Sequence, residues 1–129
     1  MKLTGLTPNV VTANIDRSVA FYRDVLGFSV TITVPDAGPF VFVALQRDAV
    51  TVFLNDAEAA RKEAPADTSL VVGQSGVAMY VDLDGIAALW EQVRDVARVV
   101  MPLKQQWYGA MEFSVTDPDG YLITFAERT

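Results

Sequence analysis

The chain has 129 residues, 51% of them hydrophobic, which is enough to bury the core of one domain and too apolar for a disordered chain. It contains no cysteine and no histidine, which excludes disulfides, thiolate or imidazole metal ligands and a Ser–His–Asp triad. The net charge of −6 argues against nucleic-acid binding and attracts cations at long range.

Nothing in the sequence predicts a membrane partner. The longest apolar run, at 40–45, is far shorter than the roughly 20 residues that a membrane-spanning helix needs. The N-terminal residues MKLTGLTPNV lack the apolar core of a signal peptide. We therefore expect a soluble cytoplasmic protein.

The first half of the chain predicts one helix among four strands. Val19, Tyr22 and Leu26 recur at helical spacing, between Asp16, which can cap a helix, and Gly27, which can end one. Runs of β-branched and apolar residues predict strands at 7–13, 28–34, 40–45 and 50–54.

The second half repeats this order after a connector. Residues 56–74 are rich in Ala, Asp and Glu, and predict a connector with one helical turn. A strand at 77–83 and a helix that Asp84 starts come next, followed by strands at 99–101, 110–116 and 121–126. The apolar stripe of that helix consists of Ile86, Leu89, Trp90, Val93 and Ala97.

The two halves therefore predict an internal duplication. The letters NID and AFY of the first half match DLD and ALW of the second at an offset of 68 residues. Each half reads as one βαβββ module, the first over about 5–55 and the second over about 75–127, within a single α+β domain over 1–129. Neither module can bury its sheet alone, so we expect the modules to pair.

Two stretches carry a resemblance to a known family. FYRDVLGF at 21–28 and WYGAMEFSVTDPDG at 107–120, together with the duplication, resemble the glyoxalase, bleomycin-resistance and extradiol-dioxygenase (vicinal oxygen chelate) superfamily, and within it the metal-free bleomycin-resistance type. The resemblance implies two paired modules that form a curled mixed β-sheet cleft, with the helices on the outer face, in a homodimer. DPDG itself is typical of a turn.

The resemblance also implies where metal-using members hold their ion. The position that usually carries a carboxylate matches Thr124, and none of the other matching positions carries an imidazole. Those other positions are Thr7, the stretch 53–55 with Asn55, and one of Ser75, Gly76 or Ala78. We therefore predict no metal and no cofactor.

Aromatic and methionine side chains predict a lined hollow for a small molecule. Together with this hollow, the resemblance to bleomycin-resistance proteins implies sequestration of a hydrophobic, aromatic or cationic antibiotic or natural product. One alternative is a metal-independent lyase, isomerase or epimerase that uses Glu112 or a tyrosine for proton transfer, and another is a housekeeping protein that binds a metabolite for regulation. For Phe40 and Phe42, core and cavity wall both remain open, and Glu112 also fits a solvated strand position. The predicted ligand-binding residues are Phe40, Phe42, Phe53, Tyr80, Met101, Trp107, Tyr108, Met111, Glu112, Phe113 and Thr124.

Overall fold

Each half of the chain forms one four-stranded mixed sheet. The computed structural model describes residues 1–67 and 70–129, and the chain divides into an N-terminal unit, Met1–Val72, and a C-terminal unit, Gly73–Thr129. The N-terminal unit contains β1 (Asn9–Thr12), α1 (Ile15–Ala20) with a π-helical turn (Phe21–Val25), β2 (Ser29–Val34), β3 (Phe42–Arg47), β4 (Val50–Asp56) and α2 (Ala57–Glu63). The C-terminal unit contains β5 (Met79–Asp82), α3 (Ile86–Val93), β6 (Arg98–Gln106), β7 (Ala110–Thr116) and β8 (Leu122–Arg128).

The two sheets have the same topology. Their strand orders are β1-β4-β3-β2 and β5-β8-β7-β6. In each sheet the first strand runs parallel to the last, and the other neighbours are antiparallel. The predicted α+β class and the βαβββ order of each half are confirmed. Among the described residues, none of the helices combines the length and the apolar character needed to cross a bilayer.

The FYRDVLGF motif forms the π-helical turn that follows α1 and the chain reversal after it. Tyr22 is 1% exposed, and its ring contacts the Phe28 ring edge-to-face at 5.9 Å between centroids. Gly27 has φ +74°, and the Arg47 guanidinium fills the space that a Cβ there would need. Arg47 Nη1 donates to the Leu26 carbonyl at 2.7 Å. The motif therefore serves packing and helix termination.

Several predicted boundaries are wrong in detail. Asn14, not Asp16, caps α1, because Asn14 Oδ1 accepts the Arg17 N–H at 3.0 Å. The connector holds α2, seven residues long, instead of one turn, and Asp56 caps it. Residues 68 and 69 of the connector lie outside the described residues.

The C-terminal unit also departs from two predicted boundaries. The helix begins at Ile86 and ends at Val93, so Asp84 and Ala97 lie outside it. Its first N–H groups, those of Gly85 and Ile86, donate to Glu127 Oε1 on β8 at 2.7 Å each. The strand predicted at 99–101 is the nine-residue β6, which is irregular between 99 and 104, where Pro102 cannot donate to the ladder.

The DPDG turn is held by its first carboxylate. Asp117 is 3% exposed, and its Oδ1 accepts the N–H groups of Asp119, Gly120 and Tyr121 at 3.0–3.1 Å. The backbone of Gly73 approaches this turn so closely that a Cβ would lie 2.1 Å from the Asp119 carbonyl oxygen. The predicted role of DPDG as a turn therefore accounts for its residues.

Alternation along β7 separates the core of the C-terminal unit from its other face. Phe113 is completely buried, with its ring 5.2 Å from that of Trp90 on α3 and 5.1 Å from that of Phe125. Glu112 and Ser114, its neighbours along the strand, therefore point to the face opposite α3. We call this the distal face of the C-terminal sheet.

The N-terminal sheet has a corresponding distal face. The Thr12 and Ser18 hydroxyls bond at 2.7 Å, which places α1 on the side of Thr12. By register and alternation, the residues that point away from α1 include Asn9, Phe42, Phe53 and Asn55.

Candidate functional site

A buried carboxylate held by two phenols is the main feature of the distal face of the C-terminal sheet. Glu112 is 3% exposed. Tyr80 donates its hydroxyl to Oε2 of Glu112, and Tyr108 donates to Oε1. Both oxygens therefore act as acceptors, as those of an ionised carboxylate do.

The sheet topology explains how the three side chains meet. Tyr80 lies on β5, and β8 lies between β5 and the β7 position of Glu112. The β8 residue paired with Glu112 is Ala126, whose small side chain leaves room for the Tyr80 ring to reach across. Tyr108 comes from the turn between β6 and β7, four residues before Glu112.

The carboxylate raises the pKa of both phenols. The hydrogen bond to Glu112 is the largest cause that raises the pKa of Tyr108 from 10.0 to about 12, and partial desolvation adds to it. The pKa of Tyr80 is raised for the same reasons, and in both cases Arg128 opposes the shift. Around neutral pH these tyrosines are hydrogen-bond donors and not bases.

Hydroxyl groups continue the polar row along β7. Ser114 Oγ and Thr124 Oγ1 bond across β7 and β8 at 2.8 Å. Thr116, two residues on, has a buried Oγ1 with no hydrogen-bond partner among the described residues. The row thus runs from a carboxylate to neutral hydroxyls on one face.

Exposed rings and charges border this row. Trp107 is 94% exposed and contacts the Tyr108 ring edge-to-face at 5.3 Å between centroids. The Arg128 guanidinium lies over the Tyr80 ring, 6.0 Å from its centroid, and its Nε lies 3.5 Å from Asp82 Oδ1. The border therefore offers flat apolar surface beside charged groups.

The residues present do not suit a divalent metal. Strand register pairs Tyr80 with Thr124 and Asn9 with Phe53, and it places Thr7 before β1. Asn55 Nδ2 donates to Asn9 Oδ1, so the Asn9 amide oxygen is already engaged by a neighbouring amide. No group of three or more His, Cys, Asp or Glu side chains able to hold a metal occurs in residues 1–67 and 70–129. Ser75, Gly76 and Ala78 lie before β5.

The structure brings together part of the predicted ligand-binding set. Tyr80, Tyr108 and Glu112 are hydrogen-bonded, and Thr124 is cross-strand from Ser114 on the same face. Trp107 adjoins Tyr108. Met101 is also on this face, because it is paired with Ser114, and its Sδ lies 3.6 Å from Gln106 Nε2.

Other predicted residues lie elsewhere. The prediction of Phe113 as a ligand contact conflicts with its position in the core against Trp90, and alternation places Met111 on that same helix-facing side. Phe42 and Phe53 form an edge-to-face pair, 5.1 Å between centroids, on the distal face of the N-terminal sheet. Phe40 precedes β3 and is half-buried.

Sequence reasoning missed Ser114, Lys104 and Arg128 on the distal face of the C-terminal sheet. Ser114 lies two residues from Glu112, so strand alternation was a usable signal for it. Lys104 and Arg128 depend on the pairing of β6 and β8 with β7, including a bulge, which the sequence does not reveal.

Comparison with known proteins supplies the family context. A model of the Glyoxalase/Bleomycin resistance protein/Dioxygenase superfamily matches residues 6–125. A bleomycin resistance protein of Geobacillus stearothermophilus is 28% identical over 130 residues and covers 94% of both chains, and one from Staphylococcus aureus matches equally well.

Solved structures share the fold over nearly the whole chain. TnmS3, an antibiotic binding protein from Streptomyces sp. CB03234, has a TM-score of 0.77 at 16% identity, covering 100% of this chain and 99% of its own. TioX from Micromonospora sp. ML1 has a TM-score of 0.74 at 16% identity, covering 98% and 99%. At this identity the likeness concerns the fold alone.

Proposed function

We propose that this chain, which belongs to the Glyoxalase/Bleomycin resistance protein/Dioxygenase superfamily, binds an aromatic antibiotic or natural product and releases it unchanged. The observation that carries this proposal is the Glu112–Tyr80–Tyr108 cluster beside the exposed Trp107 ring. It combines a polar group that fixes orientation with flat apolar area, which is the usual composition of a small-molecule site.

The relatives support an antibiotic as the ligand class. Curated proteins similar over 94% of this chain are bleomycin resistance proteins, and TnmS3 is described as an antibiotic binding protein. Resistance by capture needs no bond to change, because a stoichiometric binder lowers the free drug concentration. The poor fit of the residues to a divalent metal agrees with this mechanism.

Each side chain of the cluster has a distinct proposed role. Trp107 and Tyr108 stack on the ligand, and Glu112 fixes its orientation through hydrogen bonds. The Ser114–Thr124 pair lies farther along the same face and contacts the ligand through hydroxyl groups. The Phe42–Phe53 ring pair of the N-terminal unit is a second proposed stacking surface.

A metal-independent lyase, isomerase or epimerase is the second candidate, and the buried Glu112 favours it. A carboxylate with one hydrogen bond on each oxygen retains lone pairs that can accept a substrate proton. The raised pKa of Tyr108, about 12, keeps this phenol a hydrogen-bond donor at neutral pH and makes it a poor general acid, so proton transfer falls to Glu112 in this candidate.

Turnover separates the two candidates. Bleomycin and a panel of aromatic antibiotics are titrated calorimetrically against the chain. Each compound is then recovered, and its molecular mass is measured by mass spectrometry. The binding proposal expects saturation and an unchanged mass. A product of altered structure formed in many equivalents supports the enzyme, and the absence of binding to every compound contradicts the proposed capture.

Removal of one ring tests the stacking role. Trp107→Ala should weaken binding by about 1–3 kcal/mol, because a stacked ring of this size contributes that much. Trp90→Phe is the matched control, since Trp90 lies on α3 and packs against Phe113 on the other face. Unchanged affinity in Trp107→Ala shows that Trp107 does not contact the ligand.

The homodimer and the cytoplasmic location stay predictions of the sequence. Sedimentation of the purified chain measures its mass in solution, and fractionation of expressing cells measures its location.

A further inference from the structure

The Glu112 carboxylate is buried, and its hydrogen-bond partners among the described residues are uncharged. It is 3% exposed, and the groups that hold it are the two phenols. Burying an ionised group without an opposite charge is unfavourable, and hydrogen bonds from neutral donors offset only part of the cost. The position therefore favours the arrival of a positive group.

Among the described residues, neither basic side chain on this face forms an ion pair with Glu112. Arg128 pairs with Asp82, 3.5 Å away, and lies over the Tyr80 ring. Lys104 is directly across from Glu112 in the register of β6 and β7, but it is exposed and forms no ion pair with Glu112 within 4.0 Å in the described part of the chain.

The carboxylate also has acceptor positions that the phenols leave unused. An ionised carboxyl group offers about four acceptor positions, of which the phenols use one on each oxygen. Tyr80 and Tyr108 are 46% and 47% exposed, so part of each ring remains open beside the carboxylate. A cation bound there gains from the π faces as well as from the charge.

We infer that Glu112 selects, among the aromatic ligands of the proposed function on which this inference rests, those that carry a protonated nitrogen group such as an amine, amidine or guanidine. The N–H of that group donates to Glu112, while the ring system of the ligand stacks beside Tyr108 and Trp107. The acidic net charge of −6 attracts the same ligands at long range.

A pair of dyes with one ring system tests this inference. 9-Aminoacridine is a cation at neutral pH, and acridine is largely uncharged there. The wild-type chain should bind the aminoacridine at least about tenfold more tightly, and Glu112→Gln should remove most of that difference, since a hydrogen bond to a charged group contributes a factor of about ten to a hundred. Fluorescence titration measures both affinities.

Matched variants separate the effect of the Glu112 charge from the effect of the net charge of the protein. Glu91→Gln removes an equal charge from the exposed side of α3 and should leave the discrimination unchanged. Lys104→Met removes the positive charge across from Glu112 and should tighten aminoacridine binding. Circular dichroism and melting check the fold of Glu112→Gln, while the comparison of the two dyes on the wild-type chain needs no variant.

The outcomes distinguish this inference from the proposed function. Equal binding of the two dyes, or discrimination that survives Glu112→Gln, overturns the role of Glu112 and leaves antibiotic binding intact. Binding of panel antibiotics without binding of either dye also overturns it. Failure of every antibiotic and both dyes overturns the proposed function as well.

Discussion

Glu112 and Phe113 are adjacent in the chain and lie on opposite faces of β7. Phe113 is completely buried against Trp90 and Phe125, whereas Glu112 turns to the distal face and receives the phenols of Tyr80 and Tyr108. One strand thus carries the core and the candidate site at alternate positions. Substitutions at the two positions should consequently affect different properties.

Phe113→Ala should lower the free energy of unfolding by about 3–5 kcal/mol, because it leaves a cavity in a fully buried aromatic cluster. Trp107→Ala is the contrasting variant, and it should change stability by less than about 0.5 kcal/mol, since Trp107 is 94% exposed. Urea denaturation followed by circular dichroism measures both. A stable Phe113→Ala variant contradicts the assignment of Phe113 to the core.

Tyr108 should lose its proton at a higher pH than an ordinary tyrosine. The hydrogen bond to Glu112 raises its pKa from 10.0 to about 12, and Glu112→Gln should bring it back toward 10.0. Phenolate absorbance recorded against pH, as the difference between wild type and Tyr108→Phe, isolates this group from the other tyrosines. A Tyr108 pKa near 10.0 in the wild type excludes the bond to Glu112.

The same shift has a consequence for stability. Because the pKa is higher in the folded state, the contribution of this bond is complete below the unfolded value of 10.0 and is lost as the pH rises through about 12. Between these values the stability of Tyr108→Phe should fall less with pH than that of the wild type. Urea denaturation at several alkaline pH values measures the difference.

Glu127→Gln should weaken the start of α3. The Glu127 carboxylate accepts two N–H groups at the helix N-terminus, at 2.7 Å each, where Gly85 supplies no capping side chain. The expected loss is about 1 kcal/mol in the free energy of unfolding. Glu91→Gln, on the exposed side of the same helix, is the control and should be nearly neutral. Equal effects of the two substitutions contradict the capping role.

Local patterns in the sequence predicted the fold class well. Helical spacing identified α1 and α3, runs of β-branched residues identified the strands, and the duplicated order identified the two βαβββ halves. The errors occurred where contacts distant in sequence decide the boundary. The cap of α3 comes from Glu127, forty-one residues after Ile86, and no local signal predicts it.

The candidate site was predicted only in part, for a related reason. Including Met111, Glu112 and Phe113 in one wall conflicts with strand alternation, so the sequence itself held the correction. The meeting of Tyr80 with Glu112 depends on β8 lying between β5 and β7, which is a property of the topology. The residue types predicted that the tyrosines belong to the candidate site, and only the pairing of the strands explains how Tyr80 reaches Glu112.

Phe42 occupies in its sheet the position that Glu112 occupies in the other. Each belongs to the third distal-face pair counted from its hairpin turn, with Asn55 and Ala126 respectively as partners on the last strand. The two halves thus share one topology, whereas the matched position is apolar in one half and acidic in the other. A library confined to these two positions would vary the polarity of one distal face at a time, without redesigning the topology that both halves share.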